Sequence, residues 1–245
     1  MKFIALVILS ISILSAKAQN ILTPDTYSFE NKFIEENTYR MKWVAIKDTM
    51  QIELGEVLTK YIADSNSLTI VTEVIQNKGT EPWIDSTVAE VHTLAPVYHS
   101  SYNWQRDIQI NFGKVVTGFY WDKVKKENHL INDSTKFTYF DSNLYPSLIA
   151  WLPLNEGYKQ DISIYDFNLH GKQGVMMARI KEVKSGIYES FLYGIQPVWV
   201  VVTTDEISND ISNTKIYYIG KSDRKLWKQE IFVGNRKMIL SRIEL

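Results

Sequence analysis

The chain contains no cysteine, and only six prolines and eleven glycines are spread over its 245 residues. A fold without cysteine makes no disulfides, even in an oxidising compartment that would permit them. It also has no attachment point for a lipid anchor behind a leader. No Pro/Gly/Ser-rich linker, fixed-period repeat or low-complexity tract divides the sequence, so one continuous domain is expected. Charge of one sign is missing too. The 27 basic and 28 acidic residues leave a formal charge of −1, which supplies no electrostatic attraction to nucleic acid or to an anionic membrane. Long apolar runs are absent beyond Leu14, whereas a membrane-spanning helix needs roughly 20 apolar residues.

The first twenty residues carry the order of a secretory leader. Lys2 is the positive start, residues 3–14 are apolar except for Ser10 and Ser12, and Ala16-Lys17-Ala18 places small residues at the −3 and −1 positions of a cleavage site. Cleavage after Ala18 leaves 227 residues with 25 basic and 28 acidic side chains, a net charge of −3. The expected location is therefore outside the cytoplasm, periplasmic or secreted, as a soluble and unlipidated protein.

What the sequence has in abundance is strand-forming residues in alternating runs. The pattern predicts strands over 39–46, 51–62, 67–76, 86–93, 108–112, 115–122, 128–132, 159–166, 174–184, 197–204, 214–219, 225–233 and 236–244. Turn clusters such as Asp64-Ser65-Asn66, Asn77-Lys78-Gly79 and Gly220-Lys221-Ser222-Asp223 separate them. Gly234-Asn235 suits a two-residue primed turn. That turn sets Ile231 opposite Met238, Gln229 opposite Leu240 and Trp227 opposite Arg242. One face of this hairpin then carries Trp227, Ile231, Val233, Met238 and Leu240, and the other Leu226, Phe232, Ile239 and Ile243. With apolar residues on both faces, both faces need cover, or one lines a cavity.

One helix is expected over 144–152. Ser142 or Asn143 is placed to cap it, Pro146 fits its first turn and Pro153 stops it. Leu144, Leu148, Trp151 and Leu152 share one face. A second helical turn is weakly indicated over 31–37.

The segment Tyr145-Pro146-Ser147-Leu148-Ile149-Ala150-Trp151-Leu152-Pro153-Leu154 is followed by Gly157 and Ile162-Ser163-Ile164-Tyr165. The ending runs Ile216-Tyr217-Tyr218-Ile219, Arg224-Lys225-Leu226-Trp227-Lys228-Gln229-Glu230 and Ile239-Leu240-Ser241-Arg242-Ile243-Glu244. Over about 145–245 these segments resemble a domain family of unknown function in exported proteins of Gram-negative bacteria. That family is similar in fold to the periplasmic carriers of the lipoprotein-localisation pathway. The resemblance implies a mostly β protein: a large curved antiparallel sheet, half-barrel or open barrel, with one or two short helices packed on its concave side. It supplies no catalytic residue, and residues 19–141 match nothing comparable.

Chemistry-bearing patterns are sparse. His92, His99, His129 and His170 lack the close pairing of a zinc site. No Gly-x-Ser-x-Gly elbow occurs, and Ser222 and Lys225 match an acylation spacing only in a turn. Asp161 and Asp166, five apart on one strand, point to opposite faces, unlike the facing carboxylates of a glycosidase. Asp205, Glu206 and Asp210 lack the EF-hand spacing and are read as a solvated acidic loop rather than a calcium site. No cofactor or metal is expected. Seven Trp and fourteen Tyr are explained first by core packing and cross-strand pairing, and secondly by lining a pocket.

Three functional classes follow. A carrier would hold a lipid or lipoprotein acyl chain in an apolar cavity, with Leu148 and Trp151 closing the mouth and Trp227, Ile231 and Leu240 on the wall. An envelope assembly protein would pair with a partner protein through a sheet edge. A hydrolase lacks a nucleophile–base constellation. The leader itself is directly testable: N-terminal sequencing of the exported protein should begin at Gln19, and an intact Met1 would refute the assignment.

Overall fold

The computed structural model describes residues 20–26, 28–79, 81–169, 171–207 and 213–244. The leader, His170 and Asp210 lie outside them. Among the described residues, fifteen strands form one sheet. The first eight are β1 (Asn37–Lys47), β2 (Met50–Ala63), β3 (Ser67–Gln76), β4 (Trp83–Glu90), β5 (Pro96–Tyr102), β6 (Arg106–Asn111), β7 (Val116–Asp122) and β8 (Glu127–Asp133). After β9 (Phe140–Asp141) comes the helix α1 (Tyr145–Trp151). The chain then continues through β10 (Gln160–Phe167), β11 (Gln173–Ser190), β12 (Gly194–Asp205), β13 (Thr214–Gly220), β14 (Leu226–Val233) and β15 (Arg236–Arg242).

The strand order across the sheet is β8 to β1, then β15 to β9. Chain order is thus preserved around a circle, β1 pairing with β15, and the circle is cut between β8 and β9. This is an up-and-down barrel topology with one open seam. Every described ladder is antiparallel except β9–β10. A parallel pair needs a crossover, and α1 with its flanking loops provides it. The expected mostly β, curved antiparallel sheet with a short helix is the fold observed.

The helix sits inside the curve. Tyr145, Leu148, Ile149, Ala150 and Trp151 are all buried. They pack against Leu68 and Ile70 of β3, Ile162 and Ile164 of β10, Ala178 and Ile180 of β11, and Tyr217 and Ile219 of β13. Burial therefore reaches beyond the single stripe the periodicity suggests. A second core forms where the seam overlaps. Ile108, Ile110, Val116, Tyr120 and Ile131 of β6–β8 pack with Tyr139 and Tyr165. Strand β10 is caught between the two cores, Ile162 and Ile164 facing one and Tyr165 the other, so it is buried on both sides.

Several details differ from the sequence reading. Strand β5 begins at Pro96, a position where a strand tolerates proline, and no strand was expected there. Two-residue β9 is too short for any periodicity to show. Ser142 and Asn143 do not cap the helix. Ser142 Oγ donates to Asp166 at 2.6 Å and Asn143 Nδ2 to Thr87 at 2.9 Å. The weak second helical turn is a 3-10 turn over Asn31–Phe33.

The last hairpin has the expected pairs Ile231–Met238 and Gln229–Leu240, with Gly234 at φ 55°. The ladder to β15 keeps this register as far as Lys228–Ser241, one step short of the expected Trp227–Arg242 pair. The irregularity lies on the β13 side, where Tyr218 pairs with Lys228 but Ile219 with Leu226. Trp227 is the extra residue of a β-bulge, which re-aims its side chain.

Two glycines test this drawing. A Cβ on Gly55 would lie 1.9 Å from the carbonyl oxygen of Ile75 on the paired strand. Gly55→Ala should cost about 1–3 kcal/mol or more, and Gly234→Val about 1–3 kcal/mol. Chemical denaturation measures both. A parent-like midpoint for either would show that the β2–β3 contact or the β14–β15 turn is wrongly drawn.

Candidate ligand-binding site

Alternation along β1 and β2 sends Tyr39, Met41, Val57, Thr59 and Tyr61 to the concave face. Register then sets Met41 beside Val57 and Tyr39 beside Thr59, with β15 on the other flank. Helix α1 covers only part of this surface. What is left is a pocket of 310 Å³ between β1–β3, β13–β15 and the helix, at the lower end of the ~300–1,000 Å³ common for ligand sites. Met41, Val57, Ile70 and Leu240 supply an apolar wall, and Ala150 and Trp151 the helical side.

A hydroxyl chain runs along one rim. Tyr39 and Tyr61 hydroxyls lie 3.3 Å apart, and Tyr61 lies 3.0 Å from Ser147 Oγ. Burial, reinforced by Tyr39, pushes the Tyr61 phenol well above its usual range, so it stays protonated. The Tyr61 ring meets Trp151 edge-on at 5.7 Å, and the Arg242 guanidinium lies 4.4 Å from the Tyr39 ring centre. Residues 30–34 strap the opening. The Glu30 N–H donates to the Trp151 carbonyl at 2.7 Å, and Arg224 Nη2 donates to Glu30 Oε2 at 2.6 Å.

Beyond the helix start lies a second polar group. Asp141 of β9 accepts the Thr87 hydroxyl at 2.6 Å, and His99 Nδ1 lies 2.9 Å from the same oxygen. Trp83 Nε1 donates to Asp85 at 2.7 Å. Burial raises the pKa values of Asp85 and Asp166 above the ordinary carboxylate value. Nearby, Asp205 accepts from Tyr145 at 2.6 Å and from Lys215 at 2.7 Å. These bonds tie β9 and the helix start to β4, β5, β10 and β12. The Ser142 hydroxyl is given to Asp166 rather than to an imidazole, so it is not arranged as a nucleophile with a histidine base.

The five residues singled out from the sequence are dispersed. Leu148 is fully buried in the main core. Trp151 and Leu240 line the pocket. Ile231 is half-buried on the face of Gln229 but lies further along β14, outside the lining. Trp227, turned by the bulge, stacks on Tyr188 with ring centres 5.4 Å apart and borders a separate depression with Tyr193 and Gln196. Asp205 and Glu206 are not a solvated loop. Asp205 closes β12 and is buried, while Glu206 is ion-paired to Lys172 and Arg179. Among the described residues, no cluster of His, Cys, Asp and Glu has the arrangement of a metal site. The sequence reading passed over Tyr39, Met41, Val57 and Tyr61, although their period-two spacing marks one face. Arg224 sits in a turn, where no periodicity would reveal it.

The His99 pair makes stability depend on pH. Burial pulls the imidazole down, but Asp141 at hydrogen-bond distance, with Asp85 and Asp166 further off, outweighs it and the net shift is upward. A raised folded pKa means the stabilisation is complete below the unfolded value of ~6.5 and is lost as pH rises through the folded value. The raised Asp85 and Asp166 act in the same direction at lower pH, from their unfolded value of ~3.9 upward. Thermal melts should therefore fall from about pH 6.5 upward in the parent and flatten there in His99→Gln. An identical slope in both would contradict the assignment.

The chain matches none of the curated proteins. Among solved structures it is similar to a β-barrel-like protein of domain of unknown function DUF1849 from Brucella abortus. The TM-score is 0.52 at 8% identity, over 89% of this chain and 98% of the other. At that identity the likeness shows the fold alone. The match to a family model spans residues 38–241, so the family resemblance is not confined to 145–245 but takes in both halves of the sheet. On that match, the chain belongs to the family described as "Protein of unknown function (DUF3108)".

Proposed function

We propose that this chain is a non-enzymatic binding or carrier protein that holds a lipophilic or amphipathic ligand in the concave pocket. The observation that carries the reading is the unfilled space itself. Apolar side chains of β1–β3 and β15 border a 310 Å³ pocket, with Ile70 where the pocket meets the main core. A helix and an N-terminal strap stand at its rim. A concave, partly apolar cleft of this size with a few polar groups at its edge has the usual form of a small-ligand site. The resemblance to the lipoprotein-localisation carriers agrees with this reading, as does the leader, which would put the protein to work in the periplasm or outside the cell.

A second reading rests on a different observation. Strand β8 is a sheet edge, and its Leu130 is 81% exposed, so an envelope partner could add a strand there. The pocket has no part in that role.

A fluorescent apolar probe separates the two. The purified protein should take up such a probe. Trp151→Ala should weaken uptake by roughly tenfold or more while the fold survives, although loss of a buried aromatic also costs ~3–5 kcal/mol of stability. No uptake by the parent, or a variant that loses stability alone, would leave the edge-pairing reading in the lead.

A further inference from the structure

The turn between β13 and β14 buries an arginine whose hydrogen bonds are incomplete. Arg224 sits at φ 56°, in the left-handed region that a non-glycine residue rarely adopts. Its N–H donates to the Gly220 carbonyl at 3.1 Å. The side chain is 8% exposed. Nη2 is bonded to Glu30, and the guanidinium lies 5.1 Å from the Phe33 ring centre. Nε and Nη1 are buried and have no acceptor. A buried charged donor left unsatisfied is costly and calls for an explanation.

Arg224 lines the same pocket as the apolar wall. Arg242 lines it too, its Nε given to the Leu226 carbonyl at 2.9 Å and its plane on Tyr39. Of the acids at the rim, Glu30 holds both Arg224 and Lys32, Asp223 is paired with Lys225 at 3.2 Å and Glu35 is exposed. One end of the pocket therefore carries two guanidinium groups, one of them held by Glu30, and the other end is apolar. Guanidinium groups bind carboxylate and phosphate oxygens with strong charge-assisted hydrogen bonds.

Resting on the carrier reading, we propose that the ligand is an anionic amphiphile: its acidic head binds Arg224 and its chain lies along Met41, Val57, Ile70 and Leu240. Glu30 is the place-holder. Its carboxylate holds Nη2, and because Nε and Nη1 are covered, the head group reaches them when residues 30–34 move aside. Ligand entry thus trades an internal carboxylate for an external one.

The test compares cis-parinaric acid with its methyl ester, which share one chain and differ in charge, by fluorescence titration at neutral pH. The parent should bind the acid at least roughly tenfold more tightly than the ester. Arg224→Met should weaken acid binding by roughly 10–100-fold, the loss of hydrogen bonds to a charged group, and leave the ester unchanged. Arg224→Lys should keep part of the preference. Glu30→Gln should tighten acid binding, and with the parent's acid–ester ratio it decides the matter if Arg224→Met does not fold. Acetate should not displace the probe, whereas laurate should. Equal parental affinity for acid and ester, or displacement by acetate as effective as by laurate, overturns the anionic-amphiphile inference and leaves the carrier reading standing. Failure to bind either probe removes both.

Discussion

The governing constraint is a mismatch of dimensions. Fifteen strands at ~4.8 Å spacing would make a flat sheet roughly 65 Å wide, while a seven-residue helix is about 10 Å long. Such a sheet cannot bury its inner face against one helix unless it curls on itself. The β1–β15 ladder, which joins the first and last strands of the chain, makes that curl possible. Strands β6–β8 then fold across β10 and fill one part of the interior. The helix fills the middle. The stretch lined by β1–β3 and β13–β15 is left open.

The short strand beside the seam is held by polar chemistry as much as by packing. Two-residue β9 has almost no ladder of its own. Asp141 compensates by accepting from Thr87 of β4 and pairing with His99 of β5. The neighbouring Ser142 anchors to Asp166, and Tyr145 to Asp205. These contacts fix where the helix starts, and so which part of the concave face it covers. Leu22 adds to this by bridging to Ile162 on the free edge of β10.

Local features were legible in the sequence, and long-range ones were not. The last hairpin could be aligned because Gly234-Asn235 specifies a turn and alternation does the rest. The helix could be placed from Leu144, Leu148, Trp151 and Pro153. The pairing of β1 with β15 joins residues about two hundred positions apart, and no local pattern encodes it. The bulge at Trp227 is equally silent, and it removes Trp227 from the wall that holds Leu240. Of the site, Trp151 and Leu240 could be named in advance, because they lie on strong periodic segments. Arg224 and Glu30 could not, because a turn and an irregular strap carry no period. The buried cluster around His99 was missed for a similar reason: its members lie on four strands and a loop, and each looks ordinary alone.

A binding role for the open stretch of the concave face, as opposed to a packing imperfection, is tested most directly by a residue-resolved NMR titration of the isotope-labelled protein with laurate. The amide shifts should concentrate in residues 30–34, β1–β3, the α1 end at Trp151, the turn at Arg224 and β15, and they should saturate. Absence of saturable shifts, or shifts confined to the exposed apolar tip of the β11–β12 hairpin around Phe191 and Ile195, would contradict it.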